Sequence, residues 1–191
     1  MTFTAGIKRT SIFVATIVLS LAATATANAA CSDPAAPNVD WSGCDKKFAS
    51  LNYAKLSSAR LFQANLRGAQ LMGAVMAASD LTGADLTASD LTGADLTNAD
   101  LSRVNLTSAD LSAAKLGRAN LSGANLTKAD VRQADLAHAY LGDADLTNAF
   151  LRGADLTKAD LRRANLTGTD LTYAIWIDGR KCAKGSIGVC K

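Results

Sequence analysis

An aliphatic residue recurs at every fifth position from Leu51 to Leu171, 25 times in succession and without an insertion. Leucine fills 23 of these places and Met76 and Val131 the other two; two residues before each stands alanine in 21 cases, replaced elsewhere by Ser79, Ser89, Val104 and Thr169. No regular element accepts that period. A helix buries residues three and four apart, so a step of five, about 500° of rotation, scatters the leucines around the whole cylinder. A strand buries alternate residues, so an odd period sends Leu71 and Leu81 to one face and Met76 and Leu86 to the other. What remains is a coil of short extended pieces with a bend in each unit. Every anchor and its alanine then point to a common axis, and successive coils stack so that their cores merge.

Small and large side chains alternate because a narrow interior must fill at near-crystalline density without overlap. Burying each leucine contributes roughly 1.5–3 kcal/mol. The outward residue before the anchor is Asp in 12 units and Asn in five, types whose side chains bond nearby backbone amides and stabilise bends. Units such as ADLTA ending at Ala88, ANLSG ending at Gly123 and ADLTK ending at Lys158 resemble the pentapeptide-repeat family, over about two thirds of the chain. The resemblance implies an all-β fold, a right-handed quadrilateral β-helix with one unit per side and four per coil. At that count the 25 units form about six coils, a column about 30 Å long at the usual strand spacing of about 4.8 Å.

The first residues are of another kind. Lys8 and Arg9 precede an apolar run from Ser11 to Ala23, and Ala27-Asn28-Ala29 suits cleavage after Ala29. The run is shorter than the roughly 20 residues that a membrane span requires. The expected order is therefore 1–29 signal peptide, 30–50 N-terminal cap, 51–174 repeat β-helix and 175–191 C-terminal cap, in a periplasmic or secreted protein. Asn28 occupies the place where a lipobox has an aliphatic residue, so membrane attachment is expected only if Cys31 is lipidated. Caps are needed because each open end of a solenoid exposes unpaired backbone and core leucine.

Four cysteines allow three pairings. A column about 30 Å long excludes a bond between its ends, since bridged Cα atoms lie within about 7 Å. Cys31 with Cys44 and Cys182 with Cys190 remain, both closing short loops over the caps in an oxidising compartment. The sole histidine, His138, is distant in sequence from both pairs, so no metal site and no cofactor is expected.

The formal charge of +3 falls to +1 without Lys8 and Arg9, all acid is Asp, and residues 48–175 carry 12 basic and 13 acidic side chains. Long-range attraction of nucleic acid is not expected from so balanced a surface. With no loop insertion, no Glu and no convergent nucleophile and base, the chain reads as a non-enzymatic scaffold or interaction module. Its partner would be a protein or another envelope or extracellular ligand, and an end-to-end homodimer is a further possibility. The resemblance also implies an alternative, since quinolone-resistance members of the family mimic duplex DNA and bind gyrase. The near-neutral surface and the signal peptide depart from that pattern.

If four units make a coil, residues 20 apart form files along the walls. One file reads Thr87, Thr107, Thr127, Thr147 and Thr167, preceded two residues earlier by Asp85, Asn105, Asn125, Asp145 and Asn165. Such an array is a candidate glycan- or ice-binding surface, although duplication of a unit with an outward threonine, a good strand residue, accounts for it without any ligand. A second file, Arg118, His138 and Lys158 with Lys115 nearby, is a candidate anion or pH-sensitive patch, although a solvated face neutralised by Asp135 and Asp155 accounts for it more simply. A third, Asp90, Asp110 and Asp130, offers carboxylates to a cation, but the same residues serve as bend acceptors. Phe62, Tyr140 and Phe150 are expected to point outward, the last two on opposite walls.

Overall fold

A computed structural model describes residues 31–191; the expected signal peptide lies outside the described residues. Every backbone amide of one unit has a partner. In Leu81 to Asp85, the Ala84 N–H closes the bend on the Leu81 carbonyl at 3.0 Å, while those of Leu81 and Gly83 donate to Asp100 and Ser102 of the next coil at 2.7 and 2.9 Å. The Asp85 N–H donates to Ala64 of the preceding coil at 2.9 Å. The fifth, from Thr82, reaches Oδ1 of Asp80 at 2.9 Å. That last bond is why Asp or Asn precedes so many anchors: it satisfies the one amide that neither the bend nor a neighbouring coil can reach.

Parallel bridges join residues 20 apart without interruption from Asp40↔Arg60 to Asp155↔Ile175. A coil therefore closes after four five-residue walls. Each wall contributes a single bridged residue, not a strand of several, because the bend takes up the rest of the unit.

The bend has a backbone requirement that the repeat pattern hides. All 28 positions at the corners from Asn38 to Tyr173, two residues after each anchor, have positive φ, and 20 of them are not glycine. The bend thus has the left-handed residue of a type II turn. A side chain there costs of order 1 kcal/mol relative to its usual conformation. Bonds to the coils above and below offset the cost, so Tyr53, Arg103, Lys128 and His138 all adopt it.

Inside, the leucines and alanines form one cluster, with anchors from Leu56 to Leu156 at 0–1% exposure. The polar intruders are paired. Ser79 and Ser89 donate their hydroxyls to the Met76 and Leu86 carbonyls at 2.6 and 2.7 Å, and Thr169 donates to Leu146 at 2.8 Å. Among the described residues no buried side-chain polar atom lacks a partner.

Walls begin earlier than the leucine count implies. Trp41 takes an anchor place and Cys44 an alanine place, both buried, and Asp40 and Asp45 already bridge to Arg60 and Asn65. Much of the 30–50 segment expected as a cap is thus the first coil. Lys46, at an anchor position, avoids the core by lying over the Trp41 ring, 3.8 Å from its centre, and donating to the Cys31 carbonyl at 2.7 Å. Its partial burial lowers the ammonium pKa, against the opposing attraction of Asp33.

At the other end the chain folds back. Asp170↔Ile187 and Ile175↔Lys181 are antiparallel bridges, and the Leu171 and Tyr173 amides, which elsewhere would meet a further coil, donate to Ser186 and Cys182. Leu171 is fully covered in consequence, while Leu161 and Leu166 are only partly buried. The end is closed on one side more than the other.

Candidate functional site

Both disulfides form, Cys31–Cys44 with Cα atoms 5.5 Å apart and Cys182–Cys190 with 4.9 Å. The first bond engages the Cys31 Sγ that a thioether lipid would need. No described helix is long and apolar enough to cross a membrane.

The threonine file is arrayed one coil apart on a single wall, but four of its five hydroxyls bond the Asp or Asn two residues earlier. Thr87 and Thr147 donate to Oδ1 of Asp85 and Asp145 at 2.5 Å, and Thr107 and Thr167 to Asn105 and Asn165 at 2.7 Å. Thr87 to Thr147 are half-buried and only Thr167 is exposed. At Thr87, Thr107, Thr147 and Thr167 the hydroxyl proton is already engaged, and the Thr147 oxygen also accepts from the Asn165 side-chain amide at 2.9 Å. The Thr147 hydroxyl and amide hold the Asp145 carboxyl below the usual range. At Asp85 burial pushes the pKa up, and bonds from Thr87 and Arg67 outweigh it, so that the net shift is downward.

The Asp90, Asp110 and Asp130 file exists as a ladder of bridges. Each carboxylate, however, accepts the amide two residues on, from Thr92, Ser112 and Arg132 at 2.8–3.1 Å, and Asp130 also pairs with the Arg132 guanidinium. The His138 corner borders a cleft of about 280 Å³ that Lys115, Arg118 and Asp135 also line. Tyr140 and Phe150 occupy bridged positions of different walls, 54% and 48% exposed. They form no common apolar surface.

Arginine bonds depress several surface carboxyls. Arg60 and Arg162 hold Asp40 and Asp160 down from 3.8 to about 2, and Arg132 and Arg163 lower Asp130 and Asp143. A carboxyl more acidic folded than unfolded contributes stability that is complete above its unfolded value and lost as pH falls through the folded one. The urea midpoint should therefore stay level from about pH 7 to 5 and fall between about pH 4 and 2. A midpoint that rose on acidification would contradict the pairing.

A larger cleft, about 740 Å³, was not evident from the files. It lies along a different corner beside the C-terminal fold-back, lined by Arg132, Gln133, Arg152, Tyr173 and Lys181 among others. The sequence held one signal for it: Phe150 interrupts the aspartate file two residues before Arg152.

These features define the class: a square solenoid of four-walled coils, which from Leu56 to Leu156 bury one aliphatic anchor per wall. The chain belongs to the pentapeptide-repeat family, whose model of pentapeptide repeats matches residues 38–68, 69–107, 105–141 and 134–172. Among solved structures, the pentapeptide repeat protein Rfr23 from the cyanobacterium Cyanothece 51142 is 38% identical, with 48% of this chain and 63% of that one covered and a TM-score of 0.48. A pentapeptide repeat protein from the thylakoid lumen of Arabidopsis thaliana is 35% identical over 50% and 66% of the two chains, TM-score 0.49. The chain thus spans just under two thirds of the length of each. Full-length QnrB1, a plasmid-mediated fluoroquinolone resistance protein, is 22% identical over 78% and 81%, TM-score 0.54, a likeness of fold alone. No curated protein shows significant similarity to the chain.

Proposed function

We propose that the protein is an exported, non-enzymatic interaction scaffold, a right-handed column of about six coils whose ends are capped by disulfide-bonded segments and whose walls present side chains to a protein or an envelope or extracellular ligand. The observation that carries this reading is the pair of disulfides, one at each end, with no free cysteine among the described residues. Structural disulfides persist in oxidising compartments and are rare in a reducing cytoplasm. A leader at residues 1–29 accords with that chemistry. The gyrase-binding alternative gains little from the surface, where Arg132, Arg162 and Arg163 interrupt the carboxylates by pairing with Asp130, Asp160 and Asp143.

The test is to express the full chain in a bacterium, fractionate the cells and determine the protein's N-terminus and thiol content. A chain beginning at Ala30, outside the cytoplasm and without free thiols, is expected. Retention of residues 1–29 on a cytoplasmic protein with four reactive thiols would overturn the reading.

A further inference from the structure

We propose that the corner cleft beside the C-terminal fold-back is a binding site for a phosphomonoester, held between the uncompensated cations Arg152 and Lys181. The proposal goes beyond the scaffold reading and does not depend on export.

It starts from a difference among arginines at equivalent places. Arg132, Arg152 and Arg162 each follow an anchor by one residue. Arg132 and Arg162 fold back onto the aspartate two residues earlier, Asp130 and Asp160, with Nε and Nη2 both engaged. Where Arg152 would find its aspartate, the chain has Phe150, exposed and bridged between Asp130 and Asp170. Arg152 turns instead to Tyr173, its guanidinium 5.6 Å from the ring centre. Asp170, the next carboxylate in that file, already accepts the Thr172 amide at 2.9 Å.

The second cation arrives by a different route. The fold-back bridges Lys181 to Ile175 in antiparallel register, and the neighbouring Cys182 ties that segment to Cys190. The Lys181 ammonium stands 5.5 Å from the same Tyr173 ring. The two cations are therefore separated by no more than the sum of their distances to the ring. Neither forms an ion pair among the described residues. Both side chains are exposed, and the ring face is the group recorded against each.

An anion in the cleft would meet both charges at once. Arg132 lines the same cleft but is neutralised by Asp130, so the charge left to satisfy is that of Arg152 and Lys181. A carboxylate would leave one of them unmatched, whereas a phosphomonoester carries about −1.5 to −2 at neutral pH and offers three acceptor oxygens. A guanidinium fork and a mobile ammonium are the usual pair for such a group. Ser112 and Gln133, on the cleft wall, supply neutral hydrogen-bonding groups for whatever the phosphate is attached to.

The experiment is calorimetric titration of the purified protein, disulfides intact, with inorganic phosphate, glycerol 3-phosphate and acetate. Saturable binding of both phosphates at one site, with acetate not bound, is expected. Tighter binding of the ester assigns the ligand to a phosphate on an organic carrier, and equal binding assigns it to the phosphate group alone; both support the site. Arg152→Gln and Lys181→Gln should each weaken binding about tenfold, while Lys158→Gln, on the His138 corner, should leave it unchanged. Melting curves of each variant show that the column is intact. Absence of saturable phosphate binding by the unaltered protein up to about 10 mM, binding of acetate as tight as phosphate, or an equal loss in Lys158→Gln would overturn the proposal.

Discussion

Leu126→Asp is expected to lower stability by at least about 4–5 kcal/mol, enough to unfold a domain of ordinary stability. Leu126 is fully buried, and truncating a leucine in such a place costs about 2–5 kcal/mol in lost transfer and cavity energy before any polar group is considered. The new carboxyl adds its own desolvation, because the core there consists of aliphatic side chains, Val104 and Val131 among the leucines and alanines, and offers it no side-chain donor. Leu126→Met provides the matched control: Met76 already serves as an anchor, and a volume-conserving exchange should cost less than about 1.5 kcal/mol. The measurement is the urea midpoint of the three proteins side by side. A Leu126→Asp protein that melts like the parent would refute the placement of the anchors.

The second large effect concerns the C-terminal bridge. Cys182 and Cys190 are eight residues apart, and closing a loop of that size restrains the unfolded chain by about 2.5–3 kcal/mol. Replacing both with alanine should remove that contribution. It should also loosen the segment that satisfies the Leu171 and Tyr173 amides and covers the last core leucine. An uncovered edge of this kind is a template for pairing with another chain. The double variant is accordingly expected to show both a lower urea midpoint and a larger hydrodynamic size at high concentration. Verified reduction of the parent protein should lower the midpoint further, since it also opens Cys31–Cys44. A fully reduced protein with an unchanged midpoint would show that the end packing alone holds the cap.

The core was legible because its rule is strict. A period of five with alanine two places before leucine leaves no regular element standing, and the buried residues follow that rule from Leu56 to Leu156. The bend acceptors were legible in type, since Asp80, Asn105 and Asn120 belong to the residues that bond a nearby amide. The corner conformation was not. Glycine, as at Gly68, Gly73, Gly83 and Gly93, was a signal for positive φ, but Tyr at 53, Lys at 128 and Ala at 113 mask it; at those corners the ladder imposes the conformation from outside. The first coil was obscured because tryptophan and cysteine replace leucine and alanine there. The threonine file could be located but not its hydrogen bonds, which depend on rotamers that a column of letters does not contain. The large cleft needed the fold-back, whose antiparallel pairing brings Lys181 to a ring eight residues earlier.

Because every parallel bridge between coils spans the same 20-residue interval, the gene can change length in two unlike ways. Gain or loss of whole coils leaves each downstream wall facing as before. Gain or loss of one five-residue unit would keep every leucine inside and yet swing the remainder of the molecule by a quarter turn, parting residues such as Arg132 and Arg152 that now share a corner. Folding would tolerate such an event and recognition would not. Surviving length variants of this chain should therefore differ in steps of four units.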